Sequence, residues 1–74
     1  MRMVYKGDTL FVDLEGESTE YEIMSVKDKM INVIKEYNVN NVVVDCRNSR
    51  DIKKLFKNII IDSEDITKHN IIFK

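Results

Sequence analysis

Ile52, Leu55, Phe56, Ile59 and Ile60 recur at i, i+3, i+4, i+7 and i+8, a spacing that lines them up on one stripe of an α-helix and on neither face of a strand. Such a helix holds its shape mainly by burying that stripe, so the rest of this 74-residue chain must supply an apolar surface to receive it. Ser49 stands where the helix N-cap is expected, and its hydroxyl can satisfy a first-turn N–H there. On the opposite face Arg50, Lys53, Lys54 and Lys57 repeat at i, i+3, i+4 and i+7, which aligns four positive charges.

Upstream the pattern changes period. Met3 and Tyr5 alternate with Arg2, Val4 and Lys6, and Leu10, Val12 and Leu14 alternate with Phe11, Asp13 and Glu15, as in two extended segments. Lys6-Gly7-Asp8 between them is turn chemistry, which predicts a hairpin. After Gly16 the residues Ile23, Val26, Met30, Val33, Ile34 and Tyr37 fall on a helical stripe, and Thr19 with Glu22 resembles a capping box. A helix is expected over about 20–37, with a break near Ser25 open, and with Asn38 as a left-handed terminator. Val42-Val43-Val44 is a continuous β-branched run, the pattern of a strand buried on both faces. Ile71-Ile72-Phe73 predicts a last short strand. The sum is a single small α/β domain over residues 1–74, ββαβαβ, with a mixed four-stranded sheet packed by two helices and right-handed crossovers between parallel strands.

Composition narrows the chemistry. An apolar fraction of 43% with 34% charged residues is globular rather than disordered, and a chain this short has a small core, so association with a second copy or another protein is expected. No apolar run exceeds four residues and no charged-then-apolar leader opens the chain, which predicts no membrane span and a cytoplasmic location. The net charge is −1, yet residues 1–22 sum to −4 and residues 47–57 to +4. That balance, without an aromatic stacking set, speaks against nucleic acid.

Catalytic parts are sparse. Cys46 alone cannot form an internal disulfide, and with His69 as its one imidazole companion it cannot complete a four-ligand Cys/His zinc site. A phosphatase-like Cys46 would need Arg six residues on, where Ile52 stands. Cys46 is expected to pack as a small hydrophobe. No Walker loop or Gly-rich dinucleotide turn is present. The expectation is a protein that is not an enzyme and carries no cofactor or metal.

The string Lys6-Gly7-Asp8-Thr9-Leu10-Phe11-Val12-Asp13-Leu14-Glu15-Gly16-Glu17, a helix, and then Asn41-Val42-Val43-Val44-Asp45 resembles the first half of a STAS domain, the family of bacterial anti-sigma factor antagonists. The resemblance covers roughly residues 3–48. It implies a regulatory module whose protein partner is an anti-sigma factor or kinase-like regulator. The family's phosphorylated Ser lies in an Asp-Ser-Ser/Thr-Gly segment at the next helix start, whereas this chain has Asn48-Ser49-Arg50-Asp51 there. Ser49 is the positional candidate phosphosite, where a phosphate would meet a helix N-terminus beside Arg47 and Arg50.

Arg47, Ser49, Arg50, Lys53, Lys54 and Lys57 are therefore the expected partner-binding residues of a non-catalytic interaction module. Two alternatives remain open. One is a self-associating structural protein, a homodimer in which the −4 hairpin region of one copy, residues 1–22, meets the +4 helix of another. The other is a small catalytic or ligand-binding protein acting at the carboxyl end of the Val42–Val44 strand.

Overall fold

The structure, a computed structural model, describes residues 2–16, 19–47 and 50–74, with Asp65 and Thr67 described by backbone alone. Two extended segments, β1 (Arg2–Lys6) and β2 (Thr9–Asp13), pair antiparallel with Lys6 opposite Thr9. Gly7 takes φ 64° between them. Gly is favoured at this first corner of a two-residue hairpin loop, because a side chain there is strained. Asp8 then ties the turn to a distant loop: its carbonyl accepts from the N–H groups of Asn40 (2.8 Å) and Asn41 (3.2 Å). Its carboxylate accepts from the Asn40 amide (3.2 Å) and the Thr9 hydroxyl (3.1 Å).

Helix α1 (Glu20–Glu36) opens on the capping box read from the sequence, with the Thr19 hydroxyl accepting from the Glu22 N–H and the Glu22 carboxylate from the Thr19 N–H. It runs through Ser25 unbroken. It does not end on a left-handed Asn38. Tyr37 turns extended, at φ −124° and ψ 161°, while its N–H still reaches the Val33 carbonyl. Tyr5 explains the exit, for its ring lies 5.2 Å from that of Tyr37 and its hydroxyl donates to the Asn38 carbonyl. A cross-fold staple replaces a local glycine-like cap.

β3 (Asn41–Asp45) lies parallel to β2, α2 (Arg50–Ile60) follows it, and β4 (Asn70–Phe73) lies parallel to β3. The sheet order is β1-β2-β3-β4. Stepping in one direction across the sheet, two crossovers of one hand leave both helices on the same face, and α1 and α2 are in contact there. The core is the single layer between them: Leu10, Val12, Val42 and Val44 from the sheet, Ile23, Val26, Met30 and Ile34 from α1, and Ile52, Phe56 and Ile60 from α2.

Two features depart from the sequence reading. The β3 run is fully buried on one face only, since Val42 and Val44 are fully covered and Val43 is half-buried on the other; among the described residues no helix covers that side because both crossovers go the same way. A short helix, α3 (Glu64–Thr67), also intervenes before β4 and buries Ile66 completely. The expected Ser49 cap lies outside the described residues. Among the described residues no helix is long and apolar enough to cross a membrane.

Candidate functional site

The carboxyl ends of β2 and β3 are built alike. Asp13 and Asp45 are register partners, and each bends the chain out of the sheet through an Asx turn, Asp13 accepting from the Glu15 N–H (2.9 Å) and Asp45 from the Arg47 N–H (3.3 Å). Arg47 then folds back on Asp45 with two parallel bonds, Nε to Oδ1 at 3.1 Å and Nη2 to Oδ2 at 2.8 Å. This fork holds the Asp45 carboxyl below the usual range and commits the Arg47 charge to a partner within the chain. Arg47 was expected on the partner surface, and it stands there exposed but already paired.

The cations of α2 do share one side, as their spacing requires, but they divide their work. Arg50 and Lys53 converge with Arg47 and Lys74 on a cleft of about 250 Å³ with Cys46 in its wall. Lys57 lays its ammonium over the Phe73 ring, 5.1 Å from the centroid, a cation–π contact that draws it toward β4. Lys54 is exposed. Positive charge therefore extends from the end of β4 along α2. Lys74, twenty-one residues from Lys53, was invisible to helical periodicity and is added to the set by β4 pairing with β3.

Cys46 is buried, and its thiol donates to the Lys74 carbonyl at 3.4 Å. Burial pushes its acidity down, raising the pKa against the opposing pull of Lys53, so the thiolate needed by a nucleophile is scarce. His69 precedes β4 with Nδ1 shielded and without a hydrogen-bond partner among the described residues. Among the described residues no three His, Cys, Asp or Glu side chains gather as metal ligands would. Ser49, the candidate phosphosite, lies outside the described residues. The acidic excess of the first third does not sit on the hairpin, where Arg2 and Lys6 balance Asp8 and Asp13; it begins at Glu15 and continues into the first turn of α1.

Two carboxylates give the fold an acid-sensitive element. Hydrogen bonds from Asn40 and Thr9 lower the Asp8 pKa, and Arg47 lowers that of Asp45. A folded pKa depressed below the unfolded value of about 3.9 contributes stability that is present above that pH and is lost as pH falls through the folded value. Asp8→Asn and Asp45→Asn should each retain an acceptor oxygen and shrink the difference in urea midpoint between pH 7 and pH 3. An undiminished difference in both variants would show that neither interaction is formed.

Comparison of the chain with protein-family models, with curated proteins and with solved structures returns no match.

Proposed function

We propose that this protein is a non-catalytic regulatory module of the anti-sigma factor antagonist type, which captures an acidic protein partner through the outer face of α2. The observation that carries the reading is the alignment of Arg50, Lys53, Lys54 and Lys57 on one side of that helix, continued by Lys74 across the cleft. Lys54 projects into solvent and none of Arg50, Lys53 and Lys54 closes an ion pair among the described residues. Charges of one sign left uncompensated on a surface raise the rate of encounter with an oppositely charged partner and select against wrong ones. The order of hairpin, helix, parallel strand ending in Asp45 and second helix accords with the topology that the STAS resemblance implies. Such a partner would be an anti-sigma factor or a kinase-like regulator with an acidic docking surface.

The test is a double charge reversal, Lys53→Glu with Lys54→Glu, in tagged protein used to recover partners from its native cell. Recovery should fall at least about tenfold, wild-type recovery should weaken as salt is raised, and the circular dichroism spectrum should not change. Equal recovery by the variant removes the α2 face from the reading.

A further inference from the structure

The uncovered face of the sheet carries a regular grid. Strand register places Val4, Phe11, Val43 and Ile72 in one row across all four strands. Val4, Phe11 and Ile72 are 45%, 43% and 54% exposed. On one side of this apolar row run Arg2, Asp13, Asp45 and then Lys74 at the end of β4; on the other run Lys6, Thr9, Asn41 and Asn70. A contiguous apolar band rimmed by polar groups is the form of an interaction surface. Its single aromatic side chain and its two central carboxylates oppose the stacking and phosphate contacts of a nucleic-acid platform.

We infer that this face is a homodimer interface, in which two copies pack sheet against sheet about a two-fold axis lying between them and perpendicular to the strands. The charge pattern selects the axis. An axis parallel to the strands would stack Asp13 on Asp45 of the second copy and gather four carboxylates. The perpendicular axis lays the apolar row on its own copy and sets Asp13 and Asp45 over the hydroxyl of Thr9 and the amide of Asn41. It also sets Arg2 over Lys6 of the second copy, but at the outer rim where solvent screens the pair, with the opposing Asp13 column one strand spacing, about 4.8 Å, from that Lys6. A depression of about 220 Å³ lined by Val4, Phe11, Val43 and Asp45 among others gives opposing side chains room to interdigitate, as aligned sheet packing requires. Pairing here leaves the cations of both α2 helices free on opposite sides of the dimer, a bivalent arrangement that raises avidity without new contacts.

Sedimentation equilibrium of the full chain tests the inference. Wild type should be a dimer that persists as salt rises from about 0.1 to 0.5 M, because its central contact is apolar and unscreened. Phe11→Glu and Phe11→Lys should each weaken the dimer at least about 100-fold with an unchanged circular dichroism spectrum. Mixing the two should restore it, since an isologous interface sets position 11 against itself. Ile72→Glu with Ile72→Lys gives the same readout at a more exposed position should a charge at position 11 disturb the hairpin. The inference is overturned by a wild-type monomer at about 200 µM, far above typical interface dissociation constants, by variants that dimerise as well as wild type, or by a mixture that stays monomeric. Lys53→Glu with Lys54→Glu should remain dimeric, so failure of partner capture and failure of dimerisation are separable.

Discussion

Phe56→Ala should move the thermal midpoint down by roughly 12–40 °C, given about 3–5 kcal/mol for a buried Phe truncation. Phe56 is fully buried at the centre of the α2 stripe, and its ring meets Phe73 edge-on with centroids 6.3 Å apart. A domain of this length has a net stability of roughly 4–11 kcal/mol, so one such cavity removes a large fraction of it. The loss has a second component, because Phe73 gives up its aromatic partner and Lys57 is seated over that same ring. Phe56→Leu should retain most of the stability, since it leaves far less empty volume. Urea unfolding of the three proteins checks this. A loss under about 1 kcal/mol for the alanine variant would mean that α2 is not anchored to the sheet through this residue.

The second large effect concerns a residue that periodicity does not single out. Ile61 and Ile66 flank the link between α2 and β4, and they differ completely: Ile61 is 70% exposed, whereas Ile66 on α3 is 0% exposed. Ile66→Ala should cost about 2–5 kcal/mol and Ile61→Ala no more than about 0.5 kcal/mol. The cause is position, since α3 packs against both α1 and β4 and Ile66 joins the buried core cluster. Thermal denaturation of the two variants side by side is the measurement. Equal losses would place the α3 turn outside the core.

Those two residues mark the boundary of what periodicity can reveal. Phe56 belongs to a five-position stripe over a three-turn helix, and such a stripe has one solution. Ile66 sits in a four-residue helix, shorter than the repeat needed to show a period. Phe11 lay on the polar phase of β2, beside Asp13 and Glu15 in alternation. That apolar residue out of phase, with Val4 likewise out of phase between Met3 and Tyr5 of β1, was a local sequence signal of the open sheet face, and their companions Val43 and Ile72 come from two other strands. The site divides the same way. The alignment of Arg50, Lys53, Lys54 and Lys57 follows from helical spacing, but the withdrawal of Arg47 onto Asp45 and of Lys57 onto Phe73, and the arrival of Lys74, depend on contacts between elements.

The amino-acid order alone determined the hairpin, both long helices, the capping box and the two parallel strands, because each is written in local period, turn chemistry or capping within a few residues. Only the tertiary structure decided that both helices cover one face. It thereby left Val43 half-buried in an apolar row with no helix over it among the described residues and gathered distant cations at one cleft, since crossover hand and strand register join residues tens of positions apart and no local pattern encodes them.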